Sequence, residues 1–334
     1  MQTDGAKALL AGELAGRIAS GDRRALARAI TLVESTRAED REKADALLAT
    51  ILPRTGKSIR IGISGAPGVG KSSFIEAFGL HAISKGHRVA VLAVDPSSRR
   101  GGGSILGDKT RMAELAKHGG AFVRPSPAGG TLGGVARRTA EAILVCEAAG
   151  FDTVMVETVG VGQSETAVAD MTDLFLLLLA PGAGDELQGI KRGVVELADL
   201  IAVNKADGAT IEAAGRTAAD YANAARLLRP PTPWWQPRVL TCSAITGAGV
   251  AEIWRAVEEF RKAGGVQSGI KKRRSAQAKA RLWTEISDAL MASFKSDRAA
   301  AKLISALEAK IDSGAITPGA AARELLAAFR GRKP

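Results

Sequence analysis

The chain has 334 residues, 46% of them hydrophobic, which is enough for one large domain with appendages or for two domains around buried cores. Its apolar runs fall far short of the roughly 20 residues that a membrane-spanning helix needs, and it begins without a basic segment followed by an apolar block. We therefore expect no membrane partner and no secretory signal. The two cysteines lack metal-ligand spacing and fit a reducing, cytoplasmic location.

The net charge of +11 is concentrated in the C-terminal part of the chain. From Gly264 onward there are 14 Lys or Arg and 6 Asp or Glu residues, a net charge of +8, so the first 263 residues carry +3. The basic run Lys271–Arg274 favours a solvated helical face, with contact to an acidic partner surface as the alternative. One tyrosine and no alternation of aromatic and basic residues offer little for base stacking, so we expect no nucleic-acid partner.

Residues 5–50 place apolar side chains at helical spacing, which predicts two or three helices in an N-terminal extension, residues 1–57. Pro53 and Gly56 then mark the entry to the first strand of the next domain, which we expect to cover residues 58–263.

Residues 65–72 read Gly-Ala-Pro-Gly-Val-Gly-Lys-Ser, a complete G-x-x-x-x-G-K-[ST] phosphate-binding loop. Residues 58–64 alternate like a strand and residues 73–85 are helix-like, which is the context in which this loop works. Successive backbone N–H groups and the positive end of the helix surround an anion there. We predict that Lys71 contacts the β- and γ-phosphates of a nucleoside triphosphate and that Ser72 holds Mg²⁺. The predicted phosphate-binding residues are Gly65, Ala66, Pro67, Gly68, Val69, Gly70, Lys71, Ser72 and Ser73.

Further strand-like runs alternate with helix-like segments in the rest of this domain. The alternation predicts an α/β fold with a doubly wound, mostly parallel sheet. Because ligand groups of such a sheet gather at the carboxyl ends of its strands, polar residues directly after the runs are candidate site residues. The runs cover residues 88–94, 153–157, 173–180, 200–204 and 238–242.

Three carboxylates are candidates for Mg²⁺ coordination beside Ser72, because Mg²⁺ on a triphosphate takes oxygen ligands. Asp95 follows a predicted strand, although it also fits a helix N-cap followed by proline. Asp108 follows the Gly-rich run 101–107, which suits a first switch loop that is ordered only while the γ-phosphate and the metal are present. Glu157 stands at a strand end, and because its side chain is one methylene longer than that of Asp, direct coordination and contact through water both stay open.

The segment after Glu157 contains the residues expected to sense the γ-phosphate. Gly160 can direct its backbone N–H at that phosphate. The next position, where a Gln commonly orients the attacking water, holds Val161, and Gln163 is a weak substitute. We therefore predict slow intrinsic hydrolysis that needs a partner. A further loop, residues 181–192, suits a mobile segment that changes partners with the nucleotide, with an ordinary strand-to-helix connection as the alternative.

The motif Asn-Lys-Ala-Asp at residues 204–207 follows an apolar strand and predicts a guanine pocket. The carboxylate of Asp207 can accept hydrogen bonds from N1–H and from the 2-amino group of guanine, and adenine offers neither donor at those positions. Asn204 is expected to brace the loop, and the aliphatic stem of Lys205 to lie over the base. The motif favours GTP over ATP.

A second segment completes the predicted pocket. Ser243, Ala244 and Ile245 follow the last predicted strand, and the backbone N–H of Ala244 is the expected donor to guanine O6.

The last hundred residues contain a connector and a helical arm. The proline-rich stretch Pro230–Pro237 predicts an extended connector whose two tryptophans pack on the core rather than bind a ligand. Residues 264–334 return to helical spacing, which predicts one long helix over 277–310 and a shorter one over 319–329.

Six segments occur together, in this order: Gly-Ala-Pro-Gly-Val-Gly-Lys-Ser, Val-Asp-Pro-Ser-Ser, Gly-Gly-Ser-Ile-Leu-Gly-Asp-Lys-Thr-Arg-Met, Glu-Thr-Val-Gly-Val-Gly-Gln-Ser-Glu, Pro-Gly-Ala-Gly-Asp-Glu-Leu-Gln-Gly-Ile-Lys and Val-Asn-Lys-Ala-Asp. With them the chain resembles the MeaB/ArgK family of P-loop GTPases, chaperones of coenzyme B12-dependent methylmalonyl-CoA mutase. The likeness runs from about residue 20 to residue 263. The fifth segment is the most diagnostic, because generic GTPases lack it.

The resemblance implies a function that residue spacing does not show. Such proteins bind a B12-dependent acyl-CoA mutase, use GTP to gate delivery of adenosylcobalamin, and protect or reactivate the mutase. Their hydrolysis of GTP is slow alone and accelerated by the mutase, and their C-terminal arm makes a homodimer. The implied cofactors are GTP or GDP and Mg²⁺.

By the same resemblance, Asp207 and the loop 243–245 hold guanine, and Lys191 is the candidate for a partner-ordered catalytic group. The implied phosphate and Mg²⁺ residues are Lys71, Ser72, Asp95, Asp108 and Glu157. The candidate catalytic residues are Lys71, Glu157, Gly160 and Lys191.

Two other functions fit a phosphate-binding loop. A metallochaperone GTPase for nickel-enzyme maturation needs Cys and His ligands, but the three His and two Cys residues show no ligand spacing. A kinase that phosphorylates a small substrate is disfavoured by the guanine motif and by the lack of an evident acceptor pocket.

Overall fold

The computed structural model describes residues 2–94, 112–125, 132–158, 164–182, 192–266 and 268–331. It divides into two compact units, residues 1–277 and residues 278–334. The division falls inside a helix, later than the residue 264 expected for the start of the arm. The domain boundaries drawn from the sequence stay predictions.

A seven-stranded, all-parallel sheet forms the centre of the first unit, in the order β3-β2-β4-β1-β5-β6-β7. This confirms the predicted doubly wound α/β fold. The sequence analysis missed β3, which is only four residues long. The strands are β1 Ile59–Gly65, β2 Val89–Val94, β3 Ala121–Arg124, β4 Thr153–Thr158, β5 Leu174–Leu179, β6 Leu200–Val203 and β7 Arg238–Thr241.

Helices cover both faces of the sheet, as buried parallel strands require. Those described in the first unit are α1 Gln2–Ala19, α2 Arg23–Glu34, α3 Ala38–Ile51, α4 Lys71–Ser84, α5 Ala113–Lys117, α6 Leu132–Ala148, α7 Ser164–Ala169, α8 Arg192–Val195, α9 Ile211–Leu227, α10 Val250–Val266 and the start of α11 Gly269–Ser296. Short 3₁₀ turns cover Leu52–Arg54 and Gly208–Thr210. Within the described residues, no helix combines the length and apolar content needed to cross a bilayer.

Alternation along the strands sends side chains to two separate cores. On one face, Val154 and Val156 of β4 pack with the N-terminal helices and α6. On the other face, Met155 of the same strand packs with α4 and α10. The predicted N-terminal helices are therefore three in number, α1 to α3, and they cover one face of the sheet. Two ion pairs add to this packing, Arg41 with Glu141 at 2.9 Å and Arg124 with Glu34 at 2.5 Å.

The connector between α9 and β7 packs on the core, as expected from its prolines. Trp235 is buried, its ring lies 5.2 Å from that of Phe260, and its Nε1–H donates to the backbone oxygen of Asp199 at 2.9 Å. Trp234 packs on the same phenylalanine, with ring centroids 4.6 Å apart.

The expected single helix over 277–310 is wrong. The chain forms α11 and then α12 Arg298–Asp312, with Asp297 between them. The Oδ1 atom of Asp297 accepts from the backbone N–H of Ala300 at 2.9 Å, so this aspartate caps a new helix. The apolar periodicity of the sequence continues across the break between the two helices. The periodicity therefore did not reveal the break. The last helix, α13 Pro318–Arg330, matches the prediction and starts from the N-cap Thr317.

The expectation of a solvated basic face at residues 271–274 is wrong for its two arginines. Arg274 donates to Asp173 at 2.7 and 2.5 Å, and Arg273 donates to Asp199 at 3.1 Å, with both aspartate side chains fully buried. Each aspartate directly precedes a strand, and each also accepts from a backbone N–H of the neighbouring strand. The charges of the arginines are needed because a buried carboxylate is stable only when it is paired. Lys271 and Lys272 are exposed.

We expect Arg274→Met to lower the free energy of unfolding by about 3–5 kcal/mol, because the substitution leaves Asp173 as a buried charge without its cationic partner. Urea-induced unfolding measures the difference. Lys272→Met, on the same turn but exposed, is the control and should change stability by less than about 0.5 kcal/mol. Equal midpoints for the two variants would contradict the assignment.

Candidate nucleotide-binding site

The phosphate-binding loop lies at the carboxyl end of β1, with α4 beginning at Lys71. Two glycines permit its path. A Cβ on Gly65 would lie 2.5 Å from the backbone oxygen of Leu178 on β5, and a Cβ on Gly70 would lie 2.8 Å from the side-chain nitrogen of Asn204. Gly70 also has a φ of 90°, which side chains disfavour. The loop can therefore approach both its neighbouring strand and the base motif closely.

The ammonium group of Lys71 is folded back over the loop. Its Nζ donates to the backbone oxygens of Gly65 at 2.8 Å and Ala66 at 3.2 Å. Burial lowers the pKa of Lys71, while the nearby carboxylates of Glu157 and Glu165 act to raise it. A phosphate group near this ammonium would favour its charged form, as the two carboxylates do.

A hydroxyl and a carboxylate meet beside the first turn of α4. Ser72 Oγ donates to Glu157 Oε1 at 3.3 Å, and Glu157 is 2% exposed. Parallel pairing of β1 with β4 brings them together, since Ile63 is in register with Glu157. A hydroxyl oxygen and a carboxylate oxygen are both suitable ligands for Mg²⁺. The other predicted metal residues, Asp95 and Asp108, lie outside the described residues, as do Gly160, Val161, Gln163 and Lys191.

A pair of hydroxyls, not anticipated from the sequence, joins β1 and β4. Thr158 Oγ1 donates to Ser64 Oγ at 2.9 Å, and both side chains are buried. Each residue is next to a site residue, Ser64 before Gly65 and Thr158 after Glu157. The pair fixes the last residue of β4 against the start of the phosphate-binding loop. Hydroxyl residues at two predicted strand ends were the available signal, but only the strand order brings them together.

Asn204 joins three loops at the carboxyl ends of the strands. Its Nδ2 donates to the backbone oxygen of Val69 at 2.9 Å, and its Oδ1 accepts from the backbone N–H of Ala244 at 3.0 Å. The thiol of Cys242 lies 3.7 Å from the same Oδ1. The buried amide therefore connects the phosphate-binding loop, the Asn-Lys-Ala-Asp motif and the segment after β7.

The side chain of Asp207 is held by Ser243, whose hydroxyl donates to Asp207 Oδ2 and also accepts from the backbone N–H of Thr246 at 3.1 Å. Lys205 reaches the phosphate-binding loop, where its Nζ donates to the backbone oxygen of Gly68 at 2.7 Å. Thr210, which the sequence analysis did not single out, donates its hydroxyl to the backbone oxygen of Asp207 at 2.7 Å. The structure thus brings the phosphate-binding loop and both predicted base segments into one cluster.

A parallel sheet with a phosphate-binding loop after β1, and with an Asn-Lys-x-Asp motif braced against that loop, defines the class: this is a P-loop GTPase. Residues 26–299 match the family model described as methylmalonyl-CoA mutase-associated GTPase MeaB, and the chain belongs to this family. The resemblance seen in the sequence is therefore confirmed.

Similar proteins cover nearly the whole chain. A Caulobacter vibrioides protein described as a GTPase is 55% identical, over 94% of this chain and 96% of its own length. The Mus musculus protein named methylmalonic aciduria type A homolog, mitochondrial, is 48% identical, over 94% of this chain and 78% of its own. A solved structure described as LAO/AO transport system kinase has a TM-score of 0.78 and 36% identity, and the match covers 96% of this chain and 97% of that one.

Proposed function

We propose that this GTPase is a nucleotide-dependent chaperone of a B12-dependent acyl-CoA mutase, most directly of the methylmalonyl-CoA mutase type. In this proposal it gates delivery of adenosylcobalamin to the mutase and protects or reactivates it. The match to a family of mutase-associated GTPases carries the proposal, and the relative from Mus musculus named for methylmalonic aciduria supports it. The two cysteines, Cys146 and Cys242, are free and buried, which fits a reducing cytoplasm.

For the nucleotide, we propose that the backbone of residues 65–73 and the ammonium of Lys71 bind the phosphates of GTP or GDP. Asp207 accepts from the guanine ring, Ala244 N–H donates to its O6, and Ile245 lies at the edge of the base. The pairing of Ser243 with Asp207 supports this assignment, because a carboxylate held at one oxygen can direct the other at the base.

For the metal, we propose that Ser72, Asp95, Asp108 and Glu157 hold Mg²⁺ directly or through water. The contact of Ser72 with the buried Glu157 supports the first and last of these. When bound, Mg²⁺ would neutralise charge on the phosphate oxygens. The backbone N–H of Gly160 is proposed to contact the γ-phosphate.

We propose that hydrolysis is slow in the isolated protein and becomes fast when the mutase binds. The support is the presence of Val161 where a water-orienting Gln commonly stands. Lys191, in the loop after β5, is the proposed catalytic group that the partner brings into place.

Asp207→Asn is expected to shift base preference from guanine to xanthine. An amide can donate to the C2 carbonyl of xanthine, but it cannot accept from both N1–H and the 2-amino group of guanine. Displacement of labelled GDP by GTP and by xanthosine triphosphate measures the change, and GTP affinity should fall by about 100-fold or more. Asp220→Asn, exposed on α9, is the control. Unchanged selectivity for GTP would remove Asp207 from the base pocket.

The chaperone proposal predicts that GTP hydrolysis accelerates by about tenfold or more when the correct mutase is added. Purified B12-dependent acyl-CoA mutases, with methylmalonyl-CoA mutase first, are each added to this protein while phosphate release is recorded. Lys71→Ala should show no stimulation, which controls for contaminating phosphatase. A rate that no mutase changes would refute partner activation.

We also propose a homodimer formed through α11. Leu282, Trp283, Ile286 and Leu290 recur at helical spacing on this helix and are between 38% and 68% exposed. An apolar stripe of this kind, followed by α12 and α13 of the second unit, is typical of a helix that packs on another helix.

The dimer proposal predicts that Leu290→Asp halves the mass measured by light scattering after size-exclusion chromatography, because a charge in the apolar stripe opposes its burial. Ala292→Asp, an exposed position on the other side of the same helix, should leave the mass unchanged. A monomeric wild type would refute the proposal.

A further inference from the structure

Gln277 links the first turns of α11 to the end of helix α7. Its Nε2 donates to the backbone oxygen of Ala169 at 3.2 Å and to that of Thr172 at 2.9 Å. Ala169 is the last residue of α7, where helix carbonyls have no partner within the helix. One side-chain amide therefore binds the last carbonyl of α7 and a carbonyl of the turn that follows it.

The turn after α7 is held from two further directions. Arg274, one turn before Gln277, binds the carboxylate of Asp173 and also donates to the backbone oxygen of Ser58 at 2.7 Å. On the inner side, Gly62 of β1 allows a close approach, since a Cβ there would lie 2.7 Å from Val168 and 2.8 Å from the hydroxyl of Thr172. The end of α7 thus packs against β1 on one side and is hydrogen-bonded to α11 on the other.

The segment that leads into α7 starts from the nucleotide site. Glu157 contacts Ser72, and Thr158 bonds to Ser64 beside the phosphate-binding loop. Helix α7 itself lies near the site, because the carboxylate of Glu165 acts on the ammonium of Lys71. The C-terminal end of this helix is bound by Gln277.

We propose that Gln277 is a positioning residue for GTP hydrolysis. By holding the C-terminal end of α7, it positions the helix that carries Glu165 and follows Gly160 in the chain, although Gln277 itself is no part of the proposed nucleotide or metal site. The inference rests on the proposed function, in which Gly160 contacts that phosphate. GDP lacks the γ-phosphate, so the influence of Gln277 falls on the hydrolytic step and not on GDP binding.

Gln277→Leu removes the donor and keeps the approximate size of the side chain. We expect kcat to fall about tenfold, which equals about 1.4 kcal/mol, with KM for GTP and Kd for fluorescently labelled GDP within twofold of the wild type. Gln277→Glu, which places an acceptor opposite two carbonyl oxygens, should lower kcat by at least as much. Lys272→Leu, exposed on the same helix, is the matched control. Single-turnover hydrolysis, GDP titration and thermal unfolding are measured for all four proteins.

Each measured result either supports or overturns the role of Gln277 as a positioning residue. A wild-type kcat in Gln277→Leu or Gln277→Glu overturns the inference. A parallel loss of kcat, GDP affinity and thermal stability also overturns it, because that pattern describes a structural residue. A wild-type protein that hydrolyses GTP neither alone nor with any mutase refutes the proposed function itself, whereas wild-type hydrolysis with unaffected variants refutes only the role of Gln277.

Discussion

The position of β1 in the sheet is the constraint on which the site depends. This strand is buried on both faces and pairs with β4 on one side and β5 on the other, all in parallel. Because parallel strands end at the same edge, the phosphate-binding loop, Glu157 and the segment after β5 begin side by side. Gly62 and Gly65 keep this strand free of side chains where α7 and β5 approach it most closely. Residues far apart in the chain become neighbours for this reason.

The amino edge of the same sheet is held by carboxylates. Asp152, Asp173 and Asp199 each precede a strand and accept from a backbone N–H at the start of the next strand across. The last two are buried, and each forms an ion pair with an arginine in the first turns of α11. Helix α11 thus begins as part of the sheet's polar edge, and along its later turns it carries the exposed apolar stripe.

The sequence was most informative where function needs neighbouring residues and least where it needs distant ones. The phosphate-binding loop and the Asn-Lys-x-Asp motif are local patterns that specify their own backbone and chemistry. The bond between Ser64 and Thr158 depends on the order of the strands, which alternation does not specify. Arg273 and Arg274 looked like solvent-exposed charges because their buried partners lie about 75 to 100 residues earlier. Strand β3 was missed, although β6 and β7 are equally short and were predicted.

The contacts of Asn204 join the loops of the proposed nucleotide site. Its amide bonds the phosphate-binding loop and the base segments to one another, and Lys205 adds a second link to Gly68. These loops therefore form one cross-linked body. In the proposed function the γ-phosphate is contacted by Gly160, which precedes α7 in the chain. Helix α7 lies near the site, since Glu165 acts on the ammonium of Lys71, and its C-terminal end is bound by Gln277. The proposed route by which Gln277 acts on hydrolysis therefore passes through α7.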